Sequence, residues 1–129
     1  MHTAKVLHTL LSRSVPTIHQ VRLTSFVDTV ESLTTGGNAC VTQLGRGLQG
    51  SSYDKHKIKR VDRLVSNPHL HQECDGLYAS ITESLLKGIS RVIVLIDWSP
   101  LCANQQWQLL RAAIPVGGRT LTLYEQVHP

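Results

Sequence analysis

The chain changes its hydrophobic period once, and that change limits the folds open to it. Up to about residue 87, apolar side chains recur at three- and four-residue spacing, the period of a helix face. The texture then becomes Val92-Ile93-Val94-Leu95-Ile96, five β-favouring residues in a row. A run that is apolar on both faces reads as a central, fully buried strand, and Asp97 terminates it. Helices first and strands afterwards, without alternation, place the chain in the α+β class.

The helical region divides at its breakers. Residues 3–12 form a short helix with Val6, Leu7, Leu10 and Leu11 as its stripe, interrupted by Pro16. A second helix over 17–33 carries Leu23, Phe26, Val27, Val30 and Leu33, and Gly36-Gly37-Asn38 ends it. A short helix over 41–48 shows Val41, Leu44 and Leu48 on one side. After the Gly50-Ser51-Ser52 loop, a helix over 54–66 has Ile58, Val61, Leu64 and Val65 as its apolar positions, and Asn67-Pro68 stops it. A further helix over 70–87 presents Cys74, Leu77, Tyr78, Ile81 and Leu85 and closes at Gly88.

Beyond the first strand, residues 107–116 read as a second, with Pro115 tolerated near its end. Gly117-Gly118 signals a hairpin. Residues 120–126 alternate, with Leu121 and Leu123 one way and Thr120, Thr122 and Tyr124 the other. Three strands with no covering helix leave an apolar face and an open edge, which is the expectation for a domain cut short. The expected organisation is a helical region over 1–88 and the start of a truncated domain over 89–129.

At 129 residues, 41% apolar and 17% charged, the chain can bury a real core and is no disordered tail. Its net charge of +4 is not spread evenly. Residues 46–63 hold six cations (Arg46, Lys55, Lys57, Lys59, Arg60 and Arg63) against Asp54 and Asp62, so this stretch alone carries the whole excess. A polyanion is the natural partner of such a patch; a solvated surface helix is the plainer reading.

Three widely spaced cysteines (Cys40, Cys74 and Cys102) form no CxxC pair, which argues against a zinc knuckle or disulfide framework and fits a reducing cytoplasm. His69 and His71, the one close histidine pair, would not share a helical face, so no metal site is expected there. No sustained apolar core follows Met1, and no run approaches the roughly 20 residues of a membrane helix.

Clustered lysine and arginine gain from counterion release on a duplex. A short helix followed by a basic one resembles a loose helix-turn-helix. Most of these cations are expected on phosphates, with Arg60 and Arg63 as candidates for guanine edges because guanidinium bonds bidentately. Asp97, at the end of a stiff apolar strand, is where a Mg²⁺ ligand for phosphoryl transfer would be mounted; the plainer alternative is a loop cap. No GxxxxGK[ST] loop is present, and Glu125 is the only acid after Asp97, so a multi-carboxylate site cannot be assembled.

Several stretches in order carry a family resemblance: Thr42-Gln43-Leu44-Gly45-Arg46; Lys55-His56-Lys57-Ile58-Lys59-Arg60-Val61-Asp62-Arg63-Leu64; Asn67-Pro68-His69-Leu70-His71; Val94-Leu95-Ile96-Asp97-Trp98-Ser99; Leu110-Arg111-Ala112; and Leu121-Thr122-Leu123-Tyr124-Glu125. From about residue 40 onward the chain resembles the N-terminal portion of cut-and-paste bacterial insertion-sequence transposases, the IS-four group with the Tn-ten-like enzymes. The resemblance implies a helical bundle that grips transposon ends. A ribonuclease-H-like domain would follow, with a DDE triad that binds Mg²⁺.

Asp97 matches the triad's first aspartate, while the second aspartate and the glutamate would lie beyond Pro129. The implied function is transposon-end binding by a fragment that lacks complete strand-cleavage activity and holds no Mg²⁺ stably. The implied partners are duplex DNA and full-length transposase, with no membrane. An alternative is a regulatory fragment that pairs with full-length transposase; a third reading is an unrelated small enzyme built on Asp97 and a histidine.

Overall fold

The structure, a computed structural model, describes residues 2–36 and 38–129; Gly37, part of the expected stop of the second helix, lies outside them. Five helices precede three strands: α1 His2–Ser14, α2 Gln20–Gly36, α3 Val41–Gly47, α4 Asp54–Val65, α5 Pro68–Leu86, β1 Leu95–Pro100, β2 Gln108–Val116 and β3 Arg119–His128. The α+β class is as the sequence indicates. None of these helices is long and apolar enough to cross a membrane.

Two compact units divide inside α5, between Cys74 and Asp75. The change from helix to strand comes later, between Leu86 and Leu95, close to the Gly88 boundary read from the sequence.

The first unit is built on a helical core. Leu11, Leu23 and Val61, from α1, α2 and α4, are fully buried. Pro16 ends α1, and the turn around it buries the side chains of Val15 and Ile18, with the Ile18 amide donating to the Val15 carbonyl (3.1 Å). Leu44 and Leu48 of the α3 segment pack on Val61 with Val41 beside them, the face expected from their spacing.

α3 lies so close to α4 that a Cβ on Gly45 would overlap the Ile58 backbone, with Ile58 N at 2.7 Å, so glycine is needed there for close approach. Buried Ser32 donates its hydroxyl to the Leu44 carbonyl (2.7 Å), tying α2 to the end of α3. Asn67-Pro68 both stops α4 and starts α5. The Asn67 side chain accepts the amides of His69 (2.9 Å) and Leu70 (3.3 Å), and Pro68 takes the first helical position, where no amide is required.

In the second unit the sheet order is β1-β2-β3, all antiparallel. Gly117 and Gly118, with φ of 55° and 77°, close the β2–β3 hairpin as expected of a two-residue turn. The register shifts between Ala112 and Ala113, where Tyr124 and Thr122 are the partners and Leu123 is left over. This bulge breaks the simple alternation read for residues 120–126. Thr82 of α5 donates to the Leu123 carbonyl (3.3 Å), and Tyr78 donates to Glu125 (3.3 Å). The second half of α5 therefore lies against the sheet, contrary to the expectation of strands with no covering helix.

The central strand is β2, not the Val92–Ile96 run. Residues 91–94 precede the strand, β1 begins at Leu95, and among the described residues β1 is an edge strand beside β2. Ile93 is 70% exposed and Ile96 63%. A run apolar on both faces is buried only when strands flank it and layers cover it, and among the described residues neither condition is met for both sides of β1.

Candidate nucleic-acid interface

α4 owes its orientation to four positions. Val61 and Leu64 are buried, Ile58 is half-buried, and Arg60 is held from α2. At 100° per residue, this puts Lys55, Lys59 and Arg63 on the opposite face, spaced four residues apart. All three are exposed, and none has an ion pair within 4.0 Å among the described residues. Eight residues of rise give this cation stripe a length of about 12 Å. Asp54 in the first turn and Arg63 in the last complement the helix dipole.

The other three predicted cations are placed differently. Lys57 is half-buried on the flank nearer the core. Arg46, at the end of α3, is exposed and sits 3.9 Å from the Asp54 carboxylate, a loose surface pair. Arg60 reaches across to α2 while its side chain stays 40% exposed. Its Nη2 lies 2.5 Å from Asp28 Oδ2 and its Nε donates to Ser25 Oγ at 3.2 Å. The guanidinium fork expected on a guanine edge is thus engaged with α2, and Arg63 alone of that pair has no ion pair among the described residues.

A groove of about 560 Å³ runs beside the stripe, lined by His19, Arg22, Ser25, Arg60, Arg63 and Asn67 together with apolar residues. Sequence reasoning missed the α2 residues in it. Arg22 donates its Nε and Nη2 to the two Glu73 carboxylate oxygens (2.7 and 2.5 Å), with the pair largely buried. The Glu73 hydrogen bond lifts the Arg22 pKa above its ordinary value; desolvation opposes the shift and the Glu73 charge adds to it. Among the groove's cations, Arg63 is the one with no carboxylate partner among the described residues.

Cys40 precedes α3 as its N-cap residue. Its sulfur makes no full cap bond, yet the Thr42 and Gln43 amides favour the thiolate and hold the thiol below its ordinary range.

Asp97 is third in β1, not at the strand's end, and is exposed. Ser99 donates to it at 2.8 Å, and Arg111 is its cross-strand partner. Arg111 in turn donates to Glu125 at 2.5 Å, so an aspartate, an arginine and a glutamate form one row across the sheet. The two carboxylates are two strand spacings apart, about 10 Å, with a guanidinium between them. Mg²⁺ chemistry needs carboxylates converging on ions held roughly 4 Å apart, and this row does not fit it. No group of three or more histidine, cysteine, aspartate or glutamate side chains that could hold a metal forms among the described residues. His69 and His71 likewise stay apart in role: His71 bonds the Val65 carbonyl (2.7 Å), and His69 is exposed.

Comparison of the chain with family models, with curated proteins and with solved structures returns no match.

Proposed function

We propose that this protein binds duplex DNA through the outward face of α4, in the manner of the end-gripping region of a transposase. The observation that carries the reading is the unpaired stripe Lys55, Lys59 and Arg63 on one face of a helix whose opposite face is locked in a core. Free cations at a four-residue repeat neutralise successive phosphates and release counterions. Cations already paired inside the protein would gain much less. Lys57 and the loosely held Arg46 flank the stripe and extend the positive surface. Arg60 acts one step back, fixing α4 on α2 so that the stripe is presented rigidly.

The ordered motifs from residue 40 onward support the transposase relationship, and the antiparallel β1-β2-β3 sheet is compatible with the opening strands of a ribonuclease-H-like domain. The proposed activity is binding. No cleavage step follows from Asp97, whose neighbours are a serine and an arginine.

The test is an electrophoretic shift on a random duplex at two salt concentrations, comparing the wild type with Lys55→Ala/Lys59→Ala/Arg63→Ala. The wild type is expected to shift DNA at the lower salt and lose much of the shift at the higher, with the variant weak at both. Equal shifts for the two proteins would refute the assignment.

A further inference from the structure

The strongest β-forming run in the chain is left largely outside the sheet. Val92 to Val94 precede β1, and Ile93, Val94, Leu95 and Ile96 are 70, 47, 46 and 63% exposed. Among the described residues, β1 has β2 on one side and no strand on the other. An exposed edge of this kind offers unpaired backbone groups to another strand.

The run is also bracketed by opposite charges, with Arg91 before it and Asp97 after it. Arg91 has no carboxylate within 4.0 Å among the described residues, and Asp97 takes a bond from Ser99 while Arg111 gives its Nε to Glu125. We infer that this edge pairs antiparallel with the same edge of a second copy of the chain, about a two-fold axis at Val94. In that register Arg91 faces the second copy's Asp97 twice over, Val92 faces Ile96, Ile93 faces Leu95, and Val94 meets itself.

Two-fold symmetry makes such an interface self-complementary. Opposite charges directly across an antiparallel pair favour it, and like charges oppose it. The register is also selective. Any shift of one to five residues that moves the axis toward Asp97 sets this carboxylate against one of the five apolar side chains from Val92 to Ile96. The pairing uses none of the α4 cations and is independent of DNA binding.

The experiment is sedimentation velocity on the full chain without DNA at tens of micromolar. Wild type is expected to be dimeric, and Arg91→Asp and Asp97→Arg are each expected to be monomeric, since each places like charges across both ends of the interface. An equimolar mixture of the two single variants is expected to recover the dimer, because every charged pair in the mixed species is again opposite. Recovery also shows that both variants are folded. The double variant Arg91→Asp/Asp97→Arg is expected to dimerise with itself. A monomeric wild type, single variants that dimerise as wild type does, or a mixture that stays monomeric would each overturn the inference.

Discussion

The two units of this chain spend their apolar residues in opposite ways. Among the described residues, the helical unit contributes ten of the buried apolar side chains, whereas the sheet unit contributes Leu77, Ala113 and Ile114. The exposed large apolar residues reverse the bias: Val6, Val21, Leu33, Tyr53 and Val65 lie in the first unit, and the other twelve lie in the second. The difference teaches where each half gets its definition. Helices make their backbone bonds internally and need only a packed stripe, so short helices can cover one another. A strand needs a neighbour on each side and a layer on each face, and a three-stranded sheet supplies both neighbours only to its middle strand.

The contrast can be broken first in the cores. Leu23→Ala is expected to cost about 3 kcal/mol of unfolding free energy, because the site is fully enclosed by its neighbours. Ile89→Ala, at a side chain 52% exposed and outside the 91–97 edge, is expected to change stability by less than about 0.5 kcal/mol. Urea titrations followed by circular dichroism would read both, and equal losses would erase the distinction between the units.

Ion pairs sharpen the comparison at smaller scale. The Arg22–Glu73 side chains are 16% and 14% exposed, whereas Arg111–Glu125 are 43% and 28% exposed. Arg22→Ala leaves Glu73 without its partner in a largely dry place, and the expected loss is about 2 kcal/mol. Arg111→Ala is expected to cost about 0.5 kcal/mol, since water replaces much of what is removed. The same titrations decide between this ranking and its reverse.

The smallest expected effect is chemical. The Cys40 thiol is lowered on folding, so the folded chain holds thiolate at a pH where the unfolded chain still holds thiol. Its contribution favours the folded state above the ordinary thiol pKa and fades as pH falls through the lowered one. Alkylation of Cys40 should therefore reach its half-maximal rate at a lower pH in buffer than in concentrated urea. Coincident profiles would show that the α3 amides do not act on the sulfur.

The helices were legible because their stripes are local. Leu44, Leu48 and Val61 announce the buried sides of their own segments by spacing alone, and the excess charge of residues 46–63 needs no structure to be seen. What the sequence hid was non-local. Nothing near Arg60 indicates that Asp28, thirty-two positions away, will claim it, and nothing near Arg22 points to Glu73. The run from Val92 to Ile96 looked buried because apolar content reports what a residue prefers, not how many strands stand beside it. The bulge at Leu123 was equally invisible, since one unpaired residue inside an alternating stretch leaves the alternation intact on paper.

The central claim is that the free cations of α4, and not the paired ones, face DNA. The most direct measurement is the slope of log affinity against log salt for duplex binding, taken by fluorescence anisotropy on the wild type and on Lys55→Ala/Lys59→Ala/Arg63→Ala. Loss of three phosphate contacts should make the slope shallower by about 2.7, while Arg60→Gln should leave it within experimental error of the wild type. A triple variant with the wild-type slope, or an Arg60→Gln slope that falls as far as the triple variant's, would contradict the account.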